Sequence, residues 1–141
     1  MRKAIGLMLA SLVIICADAQ TVKLNSGYDM PVLGLGTWTL KGDVAEKAVY
    51  SALKSGYRLI DTAKYYGNES DVGKGIRKAV DEGICKREEI FITTKLVPWS
   101  NTPDSDIDDS LEKLGVEYID LILLHQHGSN DDAVTPAHGF C

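Results

Sequence analysis

What the chain has little of excludes several classes of protein. Lys and Arg number 15 against 20 Asp and Glu, a net charge of −5, so no nucleic acid is expected as a partner. Three cysteines are too few for a disulfide framework. A content of 45% hydrophobic and 25% charged residues excludes a disordered acidic tail, a collagen-like chain and a low-complexity fibre. The 141 residues suffice for one domain with a hydrophobic core.

The first 19 residues have the features of a secretory signal peptide. Arg2 and Lys3 precede an uncharged stretch from Ala4 to Cys16, and Ala17-Asp18-Ala19 has the small-x-small pattern of a cleavage site. The uncharged stretch is shorter than the ~20 residues that span a bilayer, so no membrane span is predicted. A short buried or anchoring helix is the alternative. We predict cleavage after Ala19 and a secreted protein, or one in the lumen of the secretory pathway.

Residues 20–125 alternate between strand and helix patterns. A turn-like Asn25-Ser26-Gly27 cluster predicts a hairpin of Thr21–Leu24 with Asp29–Val32. Four apolar runs predict strands, and three segments with helical spacing separate them. The strands are Val32–Thr37, Tyr57–Ala63, Ile90–Leu96 and Tyr118–Leu124; the helices run from Asp43 to Gly56, from Ser70 to Glu82 and from Thr102 to Gly115. This order predicts an α/β fold with parallel strands and right-handed crossovers.

The helix ends and faces carry more specific predictions. Asp43 and Glu46 are spaced as a capping box for the first helix. Thr102 before Pro103 predicts a capping hydroxyl for the third helix. The predicted apolar stripe of the first helix consists of Val44, Ala48, Val49, Ala52 and Leu53.

Four ionisable residues follow or end predicted strands. Asp61 lies near the end of the second strand, Tyr66 follows five residues later, Lys95 ends the third strand and His125 ends the fourth. Active sites of α/β folds form at the carboxyl ends of the strands. A tyrosine hydroxyl is normally too weak an acid for catalysis near neutral pH, and an adjacent ammonium would stabilise its phenolate. Together these residues suggest acid catalysis of a carbonyl reduction.

Each of these residues also has a structural alternative. Asp61 could cap a turn, and Tyr66 could be a half-buried loop aromatic. Lys95 could be a solvated charge at a strand edge, and His125 could be a satisfied histidine of the core or rim. The shared placement at strand ends favours a site, because titrating groups with perturbed properties cluster in functional sites.

Several segments resemble the aldo-keto reductases. The resemblance covers about residues 21–125. The segments are Gly56–Ala63 with Tyr66-Gly67-Asn68-Glu69 and Gly73, Gly34-Leu35-Gly36-Thr37-Trp38, Phe91–Leu96, and Ile119–His125. The resemblance implies a (β/α)8 TIM barrel that uses NADPH to reduce aldehydes and ketones, with a small-molecule carbonyl as its substrate.

The resemblance also implies a role for individual residues. Tyr66 would be the general acid, supported by Lys95 and Asp61, and His125 would orient the substrate. The nicotinamide half of the cofactor would lie against Gly36, Thr37 and Asp61, and the substrate pocket would be lined by Trp38, Tyr65 and Trp99.

The length suggests only part of such a barrel. A (β/α)8 barrel takes about 250 residues, whereas 141 − 19 = 122 residues would follow the cleavage site. The predicted hairpin and about four βα units therefore represent the N-terminal half of a barrel. Two hypotheses follow: a catalytic reductase, or a secreted non-catalytic half-barrel that binds a partner or a second copy through its open strand edges.

Three further features stay open. Residues 126–141 lack an apolar period and predict an irregular tail, whose Cys141 could pair with Cys85. Histidines 125, 127 and 138 with Cys141 match no strong zinc spacing, so no metal site is predicted. Asn68-Glu69-Ser70 is a glycosylation sequon. A glycan there would crowd Tyr66, or the sequon goes unused because it folds into the start of a helix.

Overall fold

The computed structural model describes residues 20–97 and 101–126. Strands and helices alternate through this part of the chain, as predicted. In order they are β1 (Thr21–Lys23), β2 (Asp29–Pro31), β3 (Gly34–Gly36), α1 (Gly42–Lys54), β4 (Leu59–Asp61), α2 (Glu69–Asp81), β5 (Phe91–Leu96), α3 (Pro103–Leu114) and β6 (Leu121–Leu124). Short 3₁₀ helices, Lys64–Tyr66 and Arg87–Glu89, precede α2 and β5.

The predicted N-terminal hairpin is confirmed. β1 and β2 pair antiparallel, with Thr21 opposite Pro31. In the turn between them, the amide of Gly27 donates to the carbonyl of Leu24 at 2.9 Å. Gly27 has a φ of +89°, which a glycine adopts without the steric cost that a side chain would impose.

The other four strands form one parallel sheet in the order β3-β4-β5-β6. The register places Gly36 beside Asp61, and Asp61 beside Thr93. Strand order follows chain order, and each parallel connection passes through a helix. The predicted α/β architecture is therefore confirmed as four consecutive βα-type strands of a partial barrel. The loops that follow the strands all emerge at one end of the sheet.

The hydrophobic core lies between the sheet and the helices. Its buried members come from all three helices and from β4 and β5, among them Val49, Leu53, Ile60, Val72, Ile76, Ile92 and Leu114. Full burial of one such side chain contributes roughly 1.5–3 kcal/mol. α2 approaches α1 closely at Gly75, where a side-chain carbon would lie 2.6 Å from the carbonyl oxygen of Glu46. Only a glycine allows this contact.

The capping predictions are wrong, and tertiary contacts explain the first of them. α1 begins at Gly42 without a side-chain cap. The acceptor for the first amide of the helix comes from α2 instead, since Gly42 N donates to Asp71 Oδ2 at 2.8 Å. The Thr102 side chain does not cap α3 either. Its carbonyl accepts from the amide of Asp106, at 3.1 Å.

The predicted stripe of α1 is correct only in part. Val49 and Leu53 are buried, but Val44 is 62% exposed and Ala45 is buried in its place. Ala45, Val49 and Leu53 recur every four residues and form the buried face of α1. In the described residues, no helix is long and apolar enough to cross a membrane.

Candidate active site

The fold brings the four predicted catalytic residues to the carboxyl end of the sheet. Asp61 is the last residue of β4, and Tyr66 ends the 3₁₀ helix that follows it. Lys95 lies in β5, and His125 directly follows β6. The amide of His125 donates to the carbonyl of Leu96 at 2.9 Å, which holds it beside β5. The parallel register is the reason that residues so far apart in sequence meet.

Lys95 is the centre of the polar contacts in this site. Its Nζ donates to Asp61 Oδ1 at 2.6 Å, to the Thr62 carbonyl oxygen at 2.9 Å and to the Tyr66 hydroxyl at 3.3 Å. An ammonium has three protons, so these contacts use all of them. The Lys95 side chain is 14% exposed and that of Asp61 is 37% exposed. The ammonium is therefore fixed in place and directed at the tyrosine oxygen.

Aromatic rings pack around the Tyr66 ring. The Trp38 ring meets the Tyr66 ring edge-on, with 4.7 Å between the ring centroids, and it stacks against the Tyr65 ring, with 6.3 Å between the centroids. His125 lies 5.4 Å from the Tyr66 ring and 5.8 Å from the Tyr65 ring, nearly perpendicular to both. We call Trp38, Tyr65, Tyr66 and His125 the aromatic wall. Trp38 and Tyr65 are both more than half exposed, so the wall can meet a ligand.

The histidine of the wall is oriented mainly by packing. Its Nδ1 is buried, and it has no hydrogen-bond partner within residues 20–97 and 101–126. The main-chain bond to Leu96 and the two perpendicular ring contacts define the direction of the imidazole.

Gly36 and Thr37 differ in what they offer to a ligand. Gly36 is exposed, and a side-chain carbon built on it would touch nothing within 4 Å. It therefore presents open main chain beside Asp61. Thr37 is fully buried, and its amide and hydroxyl both donate to the carbonyl oxygen of Asp61, at 2.9 and 3.0 Å. Thr37 thus positions the end of β4.

Asn68, which belongs to the sequon and to one of the segments that carry the family resemblance, proves to be a buried amide, and its burial was missed. Asn68 is 1% exposed. Its Nδ2 donates to the carbonyl oxygens of Thr37 and Leu40, at 2.8 and 2.9 Å, and its Oδ1 accepts from the Thr62 hydroxyl at 3.0 Å. Asn68 therefore ties the loop that carries Trp38 to the start of α2. A polar residue just before a predicted helix was the available signal.

A buried carboxylate next to Asn68 was also missed. Glu69 is 2% exposed, and its two oxygens accept from the hydroxyls of Thr94 and Ser110, at 2.7 and 3.2 Å. It joins α2 to β5 and α3 directly behind Lys95. Burying a carboxylate without such hydrogen bonds would be costly.

An ion-pair network holds the Tyr66 segment against α3. Lys64 Nζ bonds to Asp106 at 3.1 Å and also to Asp109, which in turn binds Lys113 at 2.6 Å. Burial acts to lower the pKa of Lys64, but the hydrogen bonds to Asp109 and Asp106 outweigh it, so this pKa is raised. The hydrogen bonds from Lys113 and Lys64 lower the pKa of Asp109.

A cavity lies at the opposite end of the sheet. It measures about 770 Å³ and is lined by the hairpin residue Tyr28 together with Arg58, Glu89 and Tyr118. None of the aromatic-wall residues borders it. Chemistry and cavity size therefore point to different ends, and the reactive groups mark the candidate active site.

Comparisons with known proteins decide the family. Residues 32–135 match the model of the aldo/keto reductase family. The chain belongs to the aldo/keto reductase family. It is 47% identical over 110 residues to an NAD(P)H-dependent D-xylose reductase of Candida tropicalis, a match that covers 74% of this chain and 33% of the relative. A Candida tenuis enzyme of the same description is 47% identical over 114 residues, 77% of this chain and 35% of the relative.

Solved aldo/keto reductases share the fold. A Bombyx mori aldo-keto reductase in complex with NADP superposes with a TM-score of 0.69 at 43% identity, covering 75% of this chain and 38% of that one. An aldo/keto reductase from Brucella melitensis superposes with a TM-score of 0.70 at 46% identity, covering 76% of this chain and 40% of that one. This aldo/keto reductase chain spans about a third of the length of the xylose reductases that it matches.

Some predicted features of this aldo/keto reductase chain lie outside the described residues. These are the signal peptide, Trp99, His127, His138 and Cys141.

Burial, as the largest effect, raises the pKa of the Cys85 thiol. Residues 20–97 and 101–126 contain no cluster of three or more acidic, histidine or cysteine side chains that could hold a metal ion.

Proposed function

We propose that this chain builds the proton-donating side of the active site of an NADPH-dependent carbonyl reductase. The observation that carries the proposal is the Lys95 ammonium, which joins Asp61 at 2.6 Å and the Tyr66 hydroxyl at 3.3 Å. A cation beside the phenol stabilises the negative charge that forms when the proton leaves. Asp61 holds that cation in place.

In the proposed reaction Tyr66 gives its hydroxyl proton to the carbonyl oxygen of the substrate. This oxygen must lie within about 3 Å of the phenol oxygen. His125, whose ring is 5.4 Å from that of Tyr66, would hold the same oxygen by a hydrogen bond. Trp38 and Tyr65 would pack against the rest of the substrate and exclude water. The substrate class is therefore an aldehyde or ketone.

The residues present fit the reacting end of the cofactor. A nicotinamide ring needs an open surface beside the acid, and Gly36 leaves such a surface next to Asp61. NADPH, when bound, would supply hydride to the carbonyl carbon. The cofactor named for the xylose reductases and the NADP in the Bombyx mori structure support this assignment.

The described residues offer less to the phosphates of the cofactor. Three cations lie near this end of the sheet, and each already binds oxygen atoms of the protein. Lys41 binds the carbonyl of Tyr66, Lys64 binds Asp106 and Asp109, and Lys95 binds Asp61 and Thr62. We therefore propose that the described residues bind the nicotinamide end of the cofactor only.

The test compares the purified Tyr66→Phe and Tyr65→Phe variants with the native protein from its source. NADPH consumption is followed with a panel of aldehydes and ketones. Tyr66→Phe should lower turnover by about 10²–10⁴-fold, the range for loss of a general acid, whereas Tyr65→Phe should retain most of it. Equal activity of the two variants, or a folded sample that fails to bind NADPH, would refute the proposal.

We also propose that residues 1–19 are removed on entry into the secretory pathway. Two basic residues, an uncharged core and an Ala-x-Ala site support this. Intact-mass analysis of the native protein should find an N-terminus at Gln20. A native N-terminus at Met1 would contradict the proposal.

A second candidate function is self-association of half-barrels. β3 and β6 are the outer strands of the described sheet, and Leu33, Leu123 and Leu124 beside or within them are exposed. A closed barrel has eight parallel strands, so two copies of a four-stranded sheet would supply that number. Light scattering of the purified chain should then give the mass of a dimer. A monomer at all concentrations would rule this candidate out.

A further inference from the structure

The sequon Asn68-Glu69-Ser70 lies inside the folded structure. Asn68 is 1% exposed, and both hydrogens of its amide nitrogen are used, one to Thr37 O at 2.8 Å and one to Leu40 O at 2.9 Å. Its oxygen accepts from the Thr62 hydroxyl. The nitrogen that would receive a glycan is therefore the atom that holds the loop after β3.

We propose that glycosylation of Asn68 and formation of the active site exclude each other, so that Asn68 is a modification site of the unfolded chain only. The inference rests on the proposed secretory route and extends the proposed function. In the transfer, Nδ2 would form a bond to C1 of the first sugar of a lipid-diphosphate-linked oligosaccharide. The lipid diphosphate leaves, and the amide loses one proton.

The consequence for the fold follows from hydrogen-bond arithmetic. The glycosylated amide keeps one N–H, so either Leu40 O loses its side-chain donor or Thr37 O keeps only the Leu40 amide, which donates to it at 3.1 Å. A buried carbonyl that loses a donor destabilises the folded state, because no water replaces the lost hydrogen bond. The sugar must also occupy the space between Asn68 and the loop after β3, where the asparagine has almost no exposed surface.

The displaced loop is the one that carries the substrate side of the site. Residues 37–42 are held by Asn68, by the Lys41 side chain on the carbonyl of Tyr66, and by the Gly42 amide on Asp71. A glycan that separates this loop from α2 would move Trp38 away from Tyr66. A glycosylated chain would therefore lack the aromatic wall, whereas a chain that folds first would conceal the sequon.

The test follows the full chain in cells that carry out N-glycosylation. The variants include Ser70→Ala, which removes the sequon and leaves Asn68 intact; Ser70 is exposed. Leu53→Ala weakens the core and prolongs the unfolded state, since Leu53 is fully buried. Each chain is made with its own residues 1–19 and with a proven signal sequence in their place, so a failed native signal is told apart from a failed inference.

A matched control places a sequon on the surface. Asn101-Thr102-Pro103 lacks only the Ser or Thr that a sequon needs at its third position, which Pro103 occupies, and Asn101 and Pro103 are exposed. Pro103→Ser therefore adds an acceptor asparagine without entering the core. We make this change together with Ser70→Ala, so that every glycan in the control is at residue 101. Pro103 is the first residue of α3, a position that tolerates other residues.

The readouts are the endoglycosidase-sensitive gel shift and the resistance of each pool to protease. The pool glycosylated at Asn68 should be digested at least tenfold faster than the unmodified pool, and its share should rise in Leu53→Ala. Ser70→Ala should be entirely unmodified and resistant. The pool glycosylated at Asn101 should also be resistant. A protease-resistant pool carrying a glycan on Asn68 would overturn the inference, and so would the absence of any glycan at Asn68 in Leu53→Ala behind the proven signal.

Discussion

Both ends of the parallel sheet hold a cation–carboxylate pair, but the two pairs have different partners. At the carboxyl end Lys95 binds Asp61 at 2.6 Å, and at the amino end Arg87 binds Asp120 at 2.8 Å. The cations are similarly shielded, at 14% and 18% exposure, whereas Asp61 is more exposed than Asp120, at 37% against 20%. The two pairs differ in the other groups that each cation contacts.

The Arg87 pair is used to join main chain. Arg87 donates to the carbonyls of Ile90 and Tyr118, at 2.6 and 2.7 Å, and Asp120 accepts from the amide of Ile92 at 2.9 Å. The guanidinium also lies 4.0 Å from the centre of the Tyr118 ring. Its partners are thus peptide groups and a ring face, which serve structure.

The Lys95 pair includes one partner that can react. Its third proton is directed at the hydroxyl of Tyr66, and Tyr66 stands in the aromatic wall. The amino end has a cavity of about 770 Å³. The difference teaches that an ion pair points to a candidate site through the other groups that its cation contacts, which cavity size alone does not show.

Removal of Lys95 should give the largest effect. Lys95→Met keeps the stem and deletes the ammonium, so the phenol of Tyr66 loses its positive neighbour. We expect turnover with NADPH to fall by about 10²–10⁴-fold. Lys74→Met, which deletes an exposed cation paired with Asp71, is the matched control and should leave turnover unchanged. A Lys95→Met enzyme with more than a tenth of normal turnover would remove the contrast between the two ends.

Removal of Arg87 should act on stability. Arg87→Met leaves two carbonyls without their donor and Asp120 without its cation, although Asp120 keeps the bond from the Ile92 amide. The cost should be about 3 kcal/mol by analogy with broken buried pairs. Urea unfolding measures it. Lys23→Met, which breaks the exposed pair with Asp29, should cost less than about 1 kcal/mol. If Arg87→Met impaired turnover while fully folded, the amino end would not be purely structural.

Acid should weaken the carboxyl end through Asp109. Its pKa is held down by the hydrogen bonds from Lys113 and Lys64. A carboxyl whose pKa is lowered by folding stabilises the fold above its ordinary pKa of about 3.9, and this stabilisation is lost as the pH falls through the folded value. Asp109→Asn should therefore flatten the loss of stability below about pH 4.

The measurement is thermal unfolding between about pH 3 and pH 7. Glu117→Gln, a change at an exposed acid outside this network, should keep the wild-type pH profile. An Asp109→Asn profile as steep as that of the wild type would assign the acid sensitivity to other groups.

The strands, the helices and the meeting of four residues at the carboxyl end could be predicted, because they depend on local pattern and on strand ends. These residues are Asp61, Tyr66, Lys95 and His125. The cap of α1 could not be predicted, because Asp71 reaches it from another helix. The burial of Asn68 and Glu69 was missed for the same reason, because most of their partners are distant along the chain. Thr37 is 31 residues from Asn68, and Thr94 is 25 residues from Glu69.

The smallest effect should come from backbone strain, which also separates the two ends. Thr39 has a φ of +69°, the only positive value at a non-glycine among the described residues, and it follows Trp38 at the carboxyl end. A β-branched residue in this left-handed region costs about 1–2 kcal/mol. Thr39→Gly removes that cost, while the greater freedom of glycine in the unfolded chain offsets about 0.4–1 kcal/mol.

We therefore expect Thr39→Gly to stabilise the fold by about 0.5 kcal/mol in urea unfolding. Turnover should stay within about twofold, because Asn68 holds the carbonyls of Thr37 and Leu40 on both sides of residue 39. Thr39→Ala retains a Cβ and should gain less than the glycine variant. A large loss of turnover in Thr39→Gly would mean that the strained residue itself, rather than the amide of Asn68, positions Trp38 over Tyr66.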